Sequence, residues 1–365
     1  MAPPGKQATM ATVVTVNGER PASDLGVTLP HEHLVVDTSV WARDDPGMSA
    51  VARRKLEEPV SRENLWWLAA YGRRPDWDCL DNRRLDDVDL AIEEIERFVR
   101  EGGGTVVDVT PMTPALGRDA RAMRQVSNAT GLHVVAGTGH YVRHAHPPDL
   151  AEQSVEAVAD EMVADLTEGI DGTTVRAGVI GEVGASEDFV DNEVERKSFR
   201  AAAAAQRRTG APITVHPPVY GLEGHDVLDV LEDAGADLSN VILGHLDAIL
   251  EREEASEYLD AIAERGVYVE FDTFGRTGYL EGPDACFPLD ETRILELRRL
   301  ADAGFGDRLL VSHDVCKKNQ LTEYAGHGYD YIPRDIVPRL RRRGFSDAEV
   351  DALLVDNPAR ALAWE

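Results

Sequence analysis

The chain has 365 residues, 43% hydrophobic and 28% charged, a balance that suits a water-exposed surface around a sizeable core and a length that one α/β barrel can fill. Its 38 Lys and Arg stand against 66 Asp and Glu, for a formal charge of −28. Nucleic acid and anionic membrane surfaces are therefore not expected partners, because phosphate recognition needs clustered cations.

Met1–Thr15 lacks a basic stretch followed by an apolar one, so no secretory signal is expected there. Thr12–Leu25 predicts a small hairpin turning at Asn17-Gly18. Short apolar runs rich in β-formers follow at Val27–Asp37, Thr105–Thr110, His133–Tyr141, Gly178–Val183, Ile213–His216, Val241–His245, Val267–Phe271 and Leu309–Ser312. Stretches with helical spacing lie between them, such as Leu90, Ile92, Ile95 and Phe98, or Val155, Val158, Met162 and Leu166. Gly102, Gly131, Gly210, Gly235, Gly266 and Gly304 follow helical runs and read as stops. The run 44–82 is a long insertion after the first strand, with Trp66, Trp67 and Trp77 inside it and Trp41 beside it.

Eight strands alternating with helices predict a (β/α)₈ barrel in a single domain spanning 1–365. A doubly wound open sheet would want a glycine-rich loop after its first strand, and here that strand runs into Leu29-Pro30-His31-Glu32-His33. Cys79, Cys286 and Cys316 are too scattered for a disulfide framework or a zinc knuckle. No apolar run approaches the ~18 residues of a spanning helix, so the expected compartment is the cytoplasm.

The chemistry gathers at strand ends. His31 and His33 share one strand face, with Glu32 on the other. Glu182 ends the fourth strand, His216 the fifth, His245 the sixth and Asp314 the eighth. Each alone reads more readily as a satisfied polar residue; together, four imidazoles and two carboxylates suit two borderline divalent ions at the C-terminal face of the barrel. Zn²⁺ is the first choice, ahead of Mn²⁺, Co²⁺ or Fe²⁺. A barrel lyase or isomerase with one metal, and a metal-binding barrel without catalysis, are the competing readings.

The same residues carry a resemblance. The stretches Gly26-Val-Thr-Leu-Pro-His-Glu-His-Leu34, Gly102-Gly-Gly104, Ala177-Gly-Val-Ile-Gly-Glu-Val-Gly-Ala-Ser186, His245-Leu-Asp247, His313-Asp314, Gly326-His-Gly-Tyr329 and Asn357-Pro-Ala-Arg360 resemble the phosphotriesterase family of the amidohydrolase superfamily. Within it, they are most similar to the phosphotriesterase-related proteins. The resemblance implies a binuclear metal hydrolase in which His31, His33, Glu182 and Asp314 hold the more buried ion and Glu182, His216 and His245 the outer one. It further implies a metal-bridging hydroxide as nucleophile and Asp314 as proton acceptor. Members with phosphotriesterase or lactonase activity usually bridge the metals with a carboxylated lysine; here Glu182 stands at that position. That departure favours an ester, lactone or amide carbonyl over an aryl dialkyl phosphate.

Tyr141, Arg143, Arg276 and Lys317 are expected substrate contacts, the cations holding the anionic end of a small molecule such as an acylated amino or aminosulfonic acid. Trp66 and Trp67 would suit a homodimer surface, with a core or pocket-lid role equally open.

Overall fold

The computed structural model describes residues 11–42, 49–71, 79–279 and 286–364. Eight parallel strands form one sheet in sequential order: β1 (Val27–Glu32), β2 (Gly103–Asp108), β3 (His133–Thr138), β4 (Val179–Gly184), β5 (Ile213–His216), β6 (Val241–Leu243), β7 (Tyr268–Phe271) and β8 (Leu309–Val311). Seven crossover helices connect them: α1 (Val88–Arg100), α2 (Ala120–Thr130), α3 (Val155–Thr167), α4 (Glu193–Thr209), α5 (Gly224–Asp233), α6 (Ala255–Glu264) and α7 (Asp290–Leu300). The expected (β/α)₈ barrel is what forms, and among the described residues no helix is long and apolar enough to cross a membrane. The first four helices start where a side chain takes up an orphan amide: Asp87 accepts from Leu90, Asp119 from Arg121 and Ala122, Ser154 from Ala157 and Asn192 from Glu195.

The barrel interior is layered. At its N-terminal end Val107, Val135, Val179, Ile242, Tyr268 and Leu310 meet Val13 and Leu25 from the entry segment and Leu362, just past the last helix (Asn357–Ala361), in one apolar cluster. The entry hairpin forms, pairing Thr12–Thr15 with Gly18–Pro21, but it turns at Val16-Asn17, one residue ahead of the expected Asn17-Gly18. Trp364 ties the chain's end to it, its amide donating to Thr12 O at 2.9 Å and its indole to Gly178 O at 2.8 Å. Polar and titratable side chains are left to the opposite end, where the loops are.

Three local readings change. The first strand stops at Glu32; Val36–Asp37 leaves the barrel to pair with Arg84–Leu85. Gly103 and Gly104 lie inside β2, where a Cβ would stand 2.4 Å from the Phe98 ring and 2.3 Å from Leu25 O respectively. They permit helix and hairpin to close on the strand. The insertion forms two short helices, Ala50–Glu57 and Leu65–Tyr71, and buries Trp67 with Leu68 and Cys79 while leaving Trp66 64% exposed. Trp77 lies outside the described residues.

Candidate metal centre

Strand parity brings His31, on β1, and His33, just past its end, to the mouth of the barrel. His33 Nδ1 meets Thr110 Oγ1 at 2.8 Å; that hydroxyl is directed at Val35 O, so it accepts from the imidazole and leaves Nε2 as the free lone pair. His31 Nδ1 lies 3.1 Å from Asp272 Oδ2 and 3.2 Å from Glu270 Oε2, and its Nε2 faces Glu182. His245 is fixed twice by Asp272: its amide donates to Oδ2 at 2.9 Å and its Nδ1 sits 2.8 Å from Oδ1. Carboxylates behind imidazoles set both tautomer and ring direction, the arrangement that metal-ligating histidines use.

Glu182 is the hub. Its carboxyl oxygens lie 3.4 Å from His31 Nε2, 3.6 Å from His33 Nε2 and 3.7 Å from His245 Nε2. Gly181 makes this placement possible, since a Cβ there would be 2.2 Å from Thr214 O on β5. Asp314 Oδ1 lies 3.3 Å from His33 Nε2, while its Oδ2 pairs with Arg276 Nη1 at 2.8 Å. His216 packs edge-on to His245 and Tyr141, with ring centroids 4.6 and 4.9 Å apart, and stacks on Trp41 at 6.3 Å. His245 and Asp314, each just past a strand, adopt left-handed backbone at φ 56° and 50°.

The electrostatics are those of a site short of positive charge. Burial would raise the Glu182 pKa, yet His245, His31 and His216 hold it well below the ordinary range. Burial would lower His245, but Asp272 and Glu182 lift it to about 10, and His31 is raised against burial by Asp272, Glu182 and Glu270. His216 is pushed down to about 4 by burial and by His245. His31 Nε2, Glu182 Oε2 and His216 Nδ1 are buried without hydrogen-bond partners. Buried polar atoms left in that condition carry a free-energy cost, which a bound ion would relieve. His31, His33 and Asp314 form one set of converging donor atoms, and His31, Glu182 and His245 another. The donor set fits two divalent cations, which would compete with protons for His31 and His245.

The sequence pattern of the phosphotriesterase family matches residues 11–362. The chain belongs to the phosphotriesterase family. Among its relatives, an N-acetyltaurine hydrolase of Tetraodon nigroviridis is 37% identical over 97% of this chain and 98% of its own length. A phosphotriesterase-related protein of Nematostella vectensis is 34% identical over 96% and 98%. The crystal structure of a resiniferatoxin-binding protein from Rhodobacter sphaeroides superposes with a TM-score of 0.90 at 39% identity, covering 96% of this chain and 95% of that one.

In this member of the family the mouth opens into a cavity of about 560 Å³ lined by His33, Glu182, His216, His245 and Asp314, by Trp41, Tyr141, Tyr220 and Phe287, and by the cations Arg83, Arg276 and Lys317. Arg276 also lies over the Phe287 ring at 5.5 Å and donates to Cys316 Sγ. All six expected ligands are thus gathered, together with Tyr141, Arg276 and Lys317. Arg143 is placed elsewhere: its guanidinium pairs with Asp188, about half exposed, and it is not among the cavity-lining residues. Sequence reasoning gave Glu270 and Asp272 no role behind the histidines. Their i, i+2 spacing in the apolar run Tyr268-Val-Glu-Phe-Asp272 was the available signal.

His327 closes one wall of the cavity, stacked on Tyr331 at 5.4 Å and pressed against Gly275, with both ring nitrogens buried and unpartnered. Burial, with His313 and Arg276 nearby, pushes its pKa down to about 3. The unfolded chain takes up this proton near pH 6.5 and the folded chain does not, so stability present above pH ~6.5 is lost as pH falls towards 3, at up to ~1.4 kcal/mol per pH unit. Between pH 6.5 and 5 the metal-free protein should lose about 2 kcal/mol more than His327→Phe. Urea melts at the two pH values measure this; equal slopes would assign the acid sensitivity to other groups.

Proposed function

We propose that the chain is a metal-dependent hydrolase of the amide or ester carbonyl of a small anionic substrate, an N-acyl aminosulfonate or N-acyl amino acid. The observation that carries this reading is a set of buried, convergent, unpartnered donor atoms at one end of a cavity whose other charged lining residues are mostly cations. The relative named as an N-acetyltaurine hydrolase supports the substrate class, since its sequence aligns with nearly all of this one.

His31, His33, Glu182 and Asp314 would hold one ion, and Glu182, His245 and His216 through its unpartnered Nδ1 the other. Two such ions, with Zn²⁺ the best fit to imidazole and carboxylate donors, supply Lewis-acid polarisation of the acyl oxygen and a water of lowered pKa. Asp314 is the proton acceptor on the chain's side, its carboxylate kept ionised against burial by Arg276 and His33. Arg276 and Lys317 bind the sulfonate or carboxylate end and so orient the scissile bond. Trp41 and Tyr141 cover His216 and limit water around the reacting carbonyl.

The test is a substrate panel on zinc-loaded protein: N-acetyltaurine, N-acetyl amino acids, neutral lactones and aryl dialkyl phosphates. Turnover should be highest with the anionic amides. Arg276→Met should cut kcat/KM for them by ~10- to 100-fold, the worth of a charge-assisted hydrogen bond, with a smaller loss on neutral esters. Faster turnover of the phosphate esters, or none of any substrate by protein carrying two ions, would reject the reading.

A further inference from the structure

The strand ladders run from β1 round to β8, but β8 and β1 do not pair as a ladder with each other. The barrel is therefore held at this seam by individual contacts: the Asp314 amide donates to His31 O at 3.2 Å, and the His31 amide to Ser312 Oγ at 3.2 Å. Across that seam lie the residues of one proposed ion site, His31 and His33 on one side and Asp314 on the other.

Glu32, fully buried, spans the gap. Its Oε1 accepts from the Ser312 hydroxyl at 2.7 Å, the His313 amide at 2.9 Å and His313 Nδ1 at 2.7 Å, and its Oε2 accepts from the Val315 amide at 2.8 Å. The Ile332 amide donates to His313 Nε2 at 3.1 Å, so the imidazole proton is on Nδ1 and points at Glu32. Four donors thus flank Asp314 on both sides and converge on one carboxylate, while Asp314 itself is held in the left-handed region. The backbone of Glu32 reaches the other way: its carbonyl accepts from the Val109 amide at 3.0 Å, and Val109 O accepts from the Glu182 amide at 2.9 Å.

We infer that Glu32 is a positioning residue that sets the separation of the His31–His33 pair from Asp314, and hence the affinity of the ion those three hold, without acting on the His216–His245 side. The inference rests on the metal-centre reading above. The clamp needs an acceptor-only group of this length. Glutamine would turn an NH₂ towards amide or imidazole donors, and aspartate is one methylene short.

The test is Co²⁺ titration followed by absorption, with the fold monitored by circular dichroism. Wild type should bind two ions. In Glu32→Gln one should bind at least tenfold more weakly with an altered ligand-field spectrum, the size of effect seen when outer partners of metal ligands are lost. Pairing the change with single-site backgrounds assigns the ion. In His216→Ala, which keeps the His31–His33–Asp314 position, Glu32→Gln should weaken Co²⁺ at least tenfold; in His33→Ala it should change affinity less than threefold. A merely structural role would lower the melting temperature and move both positions alike. If Glu32→Gln does not fold, Ser312→Ala, which removes one of the four donors together with the acceptor of the His31 amide, carries the same test. Two ions bound with wild-type affinity and spectrum would overturn the clamp alone. A wild type that binds fewer than two would overturn the metal-centre reading and the clamp with it.

Discussion

Asp314→Asn should reduce kcat by about 10³- to 10⁴-fold while the protein still folds, the upper part of the range for losing a general base. The amide keeps the shape of the side chain but gives up the charge, and it cannot accept a proton at this pH. It also turns an NH₂ either towards the His33 Nε2 that now lies 3.3 Å from Oδ1 or towards the Arg276 Nη1 that lies 2.8 Å from Oδ2. Metal affinity should fall as well, so elemental analysis has to accompany the kinetics, with ions supplied in excess. A variant carrying both ions and retaining kcat within tenfold of wild type would remove Asp314 from the mechanism.

Glu182→Gln should be the more damaging change for the ions themselves. One carboxylate faces imidazole nitrogens of His31, His33 and His245 at 3.4 to 3.7 Å, and burial makes its charge expensive unless cations share it. With a neutral amide there, the ligand proposed to be shared would be lost to both positions. The expected result is less than one tightly held ion per chain and turnover below roughly a thousandth of wild type, on the scale of several kcal/mol of transition-state stabilisation. Because a glutamate needs no carboxylation, reconstitution of the wild-type metal-free protein should proceed equally with and without bicarbonate. A clear bicarbonate requirement would reject the bridging assignment of Glu182.

Much of this site could be read before the fold was seen, for a physical reason. In a parallel barrel the strand ends are the only places where a polar side chain can face the interior beside a loop. His216, His245 and Asp314, each ending an apolar run, were therefore informative from position alone. Parity did the same for His31 and His33. What parity does not encode is the neighbour beyond the face. Glu32 was correctly placed on the opposite side from the two histidines, but its partners lie about 280 residues away along the chain, across a seam that no local pattern announces. Glu270 and Asp272 were hidden in the same way, as polar residues whose purpose is to hold imidazoles from other strands. Loop cations were the hardest to read. Arg276 and Arg143 carry the same charge and both follow a strand, yet one reaches Asp314 and the other a surface aspartate. Loop direction, set by contacts such as the Gly275 amide donating to Asp290, decides between them.

The left-handed backbone at His245 and Asp314 also bears on how this protein would respond to engineering. A non-glycine residue in that region gives up about 1 kcal/mol or more relative to glycine. Glycine at either position would recover that cost but would leave Asp272 or Arg276 buried without its partner, a larger loss than the backbone gain. At these two positions the side-chain partners hold the residue against a backbone preference for glycine, so a stabilisation campaign should hold both fixed.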